Sequence, residues 1–246
     1  MKAMIFAAGL GSRLKPYTES MPKALVPVAG IPMIEILVKH LQKQGITDII
    51  VNVHHFAEQV IAFLEQNKNF DVNIAISHEE ELLLDTGGGL KKAAWFFNDQ
   101  QPFLVQNVDV ISDVNYQDML DFHNSNESLA TLAVCKRETS RYFLFDKHMQ
   151  LCGWENTKTS EIKMARSGTE NLVKLAFSGI HIIDPSIFSY MNQKGKFSIV
   201  DTYLELATTN KIKGFEHNAE NWLDMGKPDE LVKAEIILRK LINSVQ

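Results

Sequence analysis

The chain has 246 residues, 45% of them hydrophobic and 22% charged, with a formal net charge of −5. These proportions belong to a soluble globular protein and exclude a disordered chain, while the acidic balance excludes a surface built to grip nucleic acid. No apolar run approaches the ~20 residues of a membrane span, and Cys135 and Cys152 form neither a CxxC pair nor a metal-spaced set, so both are expected as reduced thiols in a cytoplasmic protein.

Lys2–Ala7 reads as a buried strand rather than a secretion signal, because Arg13 and Lys15 follow without a small-residue cleavage site. Gly9–Pro22 is a long polar loop. Pro32 then opens a helix with the apolar face Ile34, Leu37, Val38 and Leu41, which Gly45 stops. Strands over Asp48–Val53 and Val72–Ser77 flank a helix over Phe56–Gln66, and a helix over Gly88–Phe97 precedes the apolar strand Pro102–Val108. Such alternation predicts parallel βαβ units.

The pattern then changes. A helix is expected over Asn115–Asn124, followed by strands over Ser128–Lys136, Arg141–Asp146 and Gln150–Trp154 with no helices between them. Thr157–Asn171 is expected as a surface loop, Lys174–Ile183 as a strand and Ser198–Thr209 as an amphipathic helix. Ile212–His217 and Glu220–Asp224 are short strands, and Pro228–Ile242 a closing helix. With no repeat or linker, one α/β domain over 1–246 is expected, its sheet Rossmann-like, mixed and mainly parallel, flanked by helices.

The most informative stretch is Phe6-Ala7-Ala8-Gly9-Leu10-Gly11-Ser12-Arg13, continued by Pro16, Thr18 and Pro22-Lys23. It leaves the C-terminal end of the first strand, where open α/β sheets bind ligands, and its small residues let backbone N–H groups approach phosphate oxygens. Arg13 and Lys23 add positive charge to the same anion. Leu14 stands where a dinucleotide fingerprint needs glycine, which argues against a dehydrogenase, and the Gly-Lys-Ser/Thr of a Walker A loop is missing here.

This run resembles the first motif of the sugar-phosphate nucleotidyltransferases, also called nucleoside-diphosphate-sugar pyrophosphorylases. The resemblance implies the nucleotide-diphospho-sugar transferase fold and transfer of a nucleotidyl group from an NTP to a sugar-1-phosphate, with release of pyrophosphate. It makes Arg13 and Lys23 the catalytic cations and places Ala7, Ala8, Gly9, Gly11 and Ser12 around the triphosphate. Residues 1–113 would form a nucleotide-binding half and 114–246 a sugar-binding half. The implied partners are the two small substrates, with neither nucleic acid nor membrane, in a monomer or small homo-oligomer.

Further segments extend the resemblance. Phe103–Val110 ends an apolar strand in Asp109, and Trp222-Leu223-Asp224-Met225-Gly226 resembles a late Trp-x-Asp-x-Gly element, so the family implies Mg²⁺ held by Asp109 and Asp224. Taken singly, either aspartate reads more readily as a cap on nearby backbone; it is their combination with the glycine-rich loop that points to a metal. Val108 departs from the glycine usual before the first aspartate and is expected to reshape the approach of ribose or sugar. By position Glu80 aligns with a base contact, or else lies in a solvated acidic loop, while Asp85 and Thr86 line the nucleoside. Three glycines, Gly87–Gly89, imply that backbone comes close to something. Asn107 and the Phe177-Ser178-Gly179 run resemble the sugar border, the latter readable also as a core strand with a bulge.

The family's Val-Glu-Lys-Pro sugar-phosphate element has no clear counterpart, leaving Arg141, Glu155 and Lys174 as candidate substitutes. Within the family, the short length, the Thr-Gly-Gly-Gly turn and the Phe-Ser-Gly strand resemble most the N-acetylmuramate-1-phosphate uridylyltransferases of cell-wall recycling, which implies UTP. Mannose-1-phosphate guanylyltransferases and glucose-1-phosphate uridylyl- or thymidylyltransferases share most motifs. A catalytically silent nucleotide-sugar sensor on the same fold is the alternative of another class.

Overall fold

A computed structural model describes residues 1–167, 171–226, 228–231, 233, 234 and 236. Strands β1 (Ala3–Phe6), β2 (Pro27–Val28) and β3 (Ile31–Pro32) precede helix α1 (Met33–Lys43); β4 (Asp48–Val53), α2 (Ala57–Gln66), β5 (Asn73–His78), α3 (Asp85–Lys92), β6 (Phe103–Asn107) and β7 (Val110–Ile111) follow. The second half runs α4 (Tyr116–Ser125), β8 (Ala130–Cys135), β9 (Arg141–Phe145), β10 (Leu151–Asn156), β11 (Glu161–Met164), β12 (Val173–Ile183), α5 (Ile187–Tyr190), α6 (Ile199–Leu206), β13 (Ile212–Glu216) and β14 (Leu223–Asp224).

The parallel core is β5-β4-β1-β6, and β1 sits at its centre. Its four residues alternate between two apolar layers: Ala3 and Ile5 join one core cluster, Met4 and Phe6 the other. Such a strand is buried on both faces, as the sheet of an α/β protein must be. Helix α1 buries the predicted stripe of Ile34, Leu37, Val38 and Leu41, and α4 starts where the Asn115 side chain accepts from the N–H groups of Gln117 and Asp118.

Long strand β12 joins the halves. It runs antiparallel to β6 through Ile180–Ile183, pairs β8 on its other edge, and continues beyond a register shift to pair β9 at Val173–Leu175. The sheet therefore has the mixed character expected, its parallel centre extended by antiparallel strands. The expected loop Thr157–Asn171 instead contains β11, an edge strand closing a hairpin on β10; its exposed alternating residues lack the apolar run that marks a buried strand. Residues 168–170 of that loop lie outside the described residues. Of the closing helix expected over Pro228–Ile242, residues 228–231 are helical and most of the remainder lies outside the described residues. Among the described residues no helix is long and apolar enough to cross a membrane.

Candidate active site

A cavity of about 450 Å³ opens at the C-terminal ends of β1 and β6 and is walled by both halves of the chain. Asp109 follows β6 directly, and Asp224 ends β14, which pairs antiparallel with β7 so that Asp224 faces Val110. A backbone bond from the Met225 N–H to the Asp109 carbonyl, 2.8 Å, fixes the same register. Two carboxylates far apart in sequence are thereby brought to one place. A side-chain carbon placed on Gly226 would lie 2.7 Å from Asp224 Oδ1, 2.8 Å from Asp109 Oδ2 and 2.8 Å from Arg13 Nη2. A side chain there would displace these charged groups.

Lys23 Nζ forms a close ion pair with Asp109 Oδ2, and Arg13 Nη1 lies 3.6 Å from Asp224 Oδ2. Burial pushes the Asp109 carboxyl above its ordinary value against the pull of Lys23, and the Asp224 charge adds to the rise. Burial also raises Asp224, but the hydrogen bond from Asp109, the Gly226 N–H and the charges of Arg13 and Lys23 hold it below the ordinary value. Two close carboxylates cannot both ionise cheaply, and the environment drives their pKa values apart. As a donor set, two converging hard-oxygen carboxylates suit Mg²⁺, which commonly takes one or two carboxylates and completes its shell with phosphate and water. Among the described residues no group of three or more His, Cys, Asp or Glu side chains is arranged for a metal, so any ion here relies on substrate oxygens.

The glycine-rich loop is built from short turns rather than free coil. Turns at Ser12–Leu14 and Lys23–Leu25 carry the two cations. Gly11 has φ +63°, and a Cβ there would lie 2.7 Å from Thr18 Cγ2 and 3.0 Å from Lys23 Cβ. Thr18 Oγ1 donates back to the Gly11 carbonyl at 2.9 Å. The spacing of Gly11, Thr18 and Lys23 is thus a packing requirement that aims the lysine. Gly9, by contrast, lines the cavity with nothing within 4 Å of where its Cβ would stand.

A buried polar chain that the sequence reading missed holds the loop's start. The Ala7 N–H donates to Asn52 Oδ1 at 2.8 Å, Asn52 Nδ2 donates to Glu79 Oε1 at 2.7 Å, and Glu79 Oε2 accepts from the Leu84 N–H at 2.7 Å. Glu79 is 1% exposed. Glu80 is the outward neighbour, its side chain 75% exposed and outside the cavity lining. The chain turns here with one carboxylate in and the next one out, and Glu80, read as either a base contact or part of a solvated acidic loop, is the outward one. The signal available was three consecutive carboxylates, Glu79–Glu81, directly after a strand, without their phase.

Backbone does come close to something at the three glycines, and that something is protein. They lie inside α3, and side-chain carbons at Gly87 or Gly88 would collide with Phe197 and the Gly195 carbonyl. The N–H groups of Gly87 and Gly88 donate to the Phe197 carbonyl, at 2.9 and 3.3 Å, and the Ile199 N–H donates to Thr86 Oγ1 at 3.0 Å. The close neighbour is the loop before α6. Asp85 and Thr86 still line the cavity, as do Ala8, Asn107, Phe177, Ser178 and Gly179; Ala7, Gly11 and Ser12 support its wall without facing it.

On the opposite wall β12 bulges. Gly179 has φ +72°, and a Cβ there would lie 2.8 Å from Asn107 Nδ2. The bulge carbonyls are caught by two side chains: Trp222 Nε1–H donates to Ser178 at 2.8 Å and Arg137 Nη2 to Phe177 at 2.8 Å. The Ser178 hydroxyl lies 2.8 Å from His217 Nε2, so this serine presents backbone to the cavity. Arg137 lines this side; it and Lys196, which lines the cavity next to the Phe197 that packs on α3, were not identified from sequence. The suggested substitutes Arg141, Glu155 and Lys174 are not in the lining: Arg141 is exposed on β9, and Lys174 pairs with Glu155 at 2.6 Å. Val108, expected to reshape the approach of ribose or sugar, is on the cavity wall, 1% exposed and packed in the apolar core.

Residues 2–240 match the model of the nucleotidyl transferase family. A mannose-1-phosphate guanyltransferase of Gibberella zeae is 32% identical over 238 residues, which cover 94% of this chain and 62% of that protein. A UTP–glucose-1-phosphate uridylyltransferase of Synechocystis is 27% identical over 259 residues, covering 100% of this chain and 66% of that one. The chain therefore spans less than two thirds of the length of these relatives. The structure of a putative glucose-1-phosphate thymidylyltransferase from Bacillus anthracis, in complex with a sucrose, superimposes with a TM-score of 0.78 at 23% identity, covering 97% of this chain and 95% of that one; at that identity the likeness is one of fold. With the family model running through nearly all of its length, the chain belongs to the nucleotidyl transferase family.

Proposed function

We propose that the protein transfers a nucleotidyl group from an NTP to a sugar-1-phosphate and releases pyrophosphate. The observation that carries this reading is the meeting of Asp109, Asp224 and Arg13 around Gly226, with Lys23 on Asp109, at the mouth of a glycine-lined loop. The sugar phosphate is already an anionic nucleophile and needs no side-chain base. What the chain must supply is position and charge. Arg13 faces the leaving pyrophosphate, Lys23 the α-phosphate, and the open flank of Gly9 admits phosphate oxygens close to backbone. Asn107 and the Phe177–Gly179 bulge border the sugar.

Asp109 and Asp224 are the residues that would hold Mg²⁺. When bound, the ion would neutralise phosphate charge and orient the phosphates.

For substrates, the sequence resemblance favours UTP with N-acetylmuramate-1-phosphate. The names of the relatives favour a second reading, GTP with mannose-1-phosphate or UTP with glucose-1-phosphate. Pyrophosphate release from UTP, GTP and dTTP, each against these three sugar phosphates, tests the reading. Turnover of one pair well above the others is expected, and absence of turnover with every pair, alongside measurable nucleotide-sugar binding, would favour the silent sensor instead.

A further inference from the structure

Four cations line the cavity, and two of them are already engaged: Arg13 with Asp224 and Lys23 with Asp109. Arg137 and Lys196 form no ion pair with a carboxylate among the described residues. Arg137 carries five N–H donors, yet one alone, on Nη2, reaches a protein acceptor, the Phe177 carbonyl, and its Nε is buried without a partner. The guanidinium is still held in place. Its central carbon lies 4.1 Å from the centroid of the Trp222 ring, and Trp222 is itself anchored through Nε1 to the Ser178 carbonyl.

Buried donors are nearly always satisfied, so a braced guanidinium with unspent donors on a cavity wall calls for an acceptor that the protein does not provide. Its position narrows the choice. Arg137, stacked on Trp222 and bonded to the Phe177 carbonyl of the β12 bulge, lines the same cavity as the carboxylate pair, on the wall expected to border the sugar.

We propose that Arg137, braced by Trp222, forms a second anion subsite that receives the phosphate of the sugar-1-phosphate, in place of the missing Val-Glu-Lys-Pro lysine. The proposal rests on the transferase reading above and names the group that seats its acceptor substrate. Arg137 touches substrate; Trp222 is a positioning residue that acts through it.

The test measures binding and turnover separately in wild type, Arg137→Gln, Arg137→Lys and Trp222→Phe. Calorimetric affinity for N-acetylmuramate-, mannose- and glucose-1-phosphate is determined with Mg²⁺ and a non-hydrolysable NTP analogue present, and affinity for the analogue alone serves as the fold control. Arg137→Gln should weaken the sugar phosphate about 10- to 100-fold, the worth of hydrogen bonds to a charged group, with analogue affinity changed less than about twofold on the same scale. Arg137→Lys, keeping charge without the fork, and Trp222→Phe, keeping the ring without its N–H, should both fall between. Unchanged sugar-phosphate affinity in Arg137→Gln, or an equal loss of both ligands, overturns the subsite. A wild type that binds sugar phosphate through Arg137 but releases no pyrophosphate supports the subsite while sinking the transferase reading.

Discussion

Asn52 donates to the Glu79 carboxylate at 2.7 Å and accepts from the Ala7 N–H at 2.8 Å, so the end of β4 pins the start of the glycine-rich loop to the segment that leads into α3. Both side chains are buried. Removing one partner of a buried, charge-assisted pair leaves the other unsatisfied. Asn52→Leu is expected to lower unfolding free energy by about 2–3 kcal/mol and to raise the KM for NTP, because Ala7 loses its anchor. Glu79→Gln should do the same more mildly. Urea unfolding paired with steady-state kinetics checks both; a stability loss with no change in KM would mean that the network serves the fold alone.

Asp109→Asn and Asp224→Asn should each reduce kcat by about 10²–10³, the usual cost of losing one preorganised charge at a reacting centre. The double variant should lose much less than the product of the two, since one cluster is being dismantled twice. Pyrophosphate release over a Mg²⁺ titration is the measurement. Near-wild-type rates in both single variants would remove these carboxylates from the site.

Two glycines of the cavity wall should respond in opposite ways. Gly9 has open space where its Cβ would stand, so Gly9→Ala should leave the thermal midpoint almost unchanged while raising the KM for NTP. Gly179 has φ +72° and an amide nitrogen 2.8 Å from its missing Cβ; Gly179→Ala should cost about 1–2 kcal/mol in stability from backbone strain, before any repacking of Asn107. Melting curves and NTP kinetics on the same two proteins separate the cases.

His181 is buried against the Tyr203 hydroxyl at 2.7 Å, and burial lowers its pKa to about 3; burial likewise lowers His123 to about 4. Both remain neutral in the fold where the unfolded chain, titrating near 6.5, already binds protons. The unfolded state therefore gains protons first as pH falls, and stability declines from about pH 6.5 down towards pH 4, by about 1.4 kcal/mol per pH unit for each such histidine. His181→Gln should flatten this slope relative to wild type in melts between pH 7 and 4, whatever it does to the midpoint at pH 7.

Much of the molecule was legible in its residues because it depends on local chemistry. The buried strand β1, the stripe of α1 and the helix beginning at Asn115 follow from short-range patterns, and the loop from Gly9 to Lys23 announces an anion site through small residues followed by spaced cations. Tertiary structure alone decided which of Glu79 and Glu80 turns inward, that Gly87 and Gly88 make room for Phe197 and Gly195, and that Arg137 rather than Arg141 or Lys174 reaches the cavity. These rest on contacts with distant segments: Asn52 on β4 for Glu79, the Gly195–Phe197 loop for the glycines, and the β12 bulge for Arg137. Composition and spacing report what a residue is able to do, whereas the direction of its side chain depends on partners that only packing supplies.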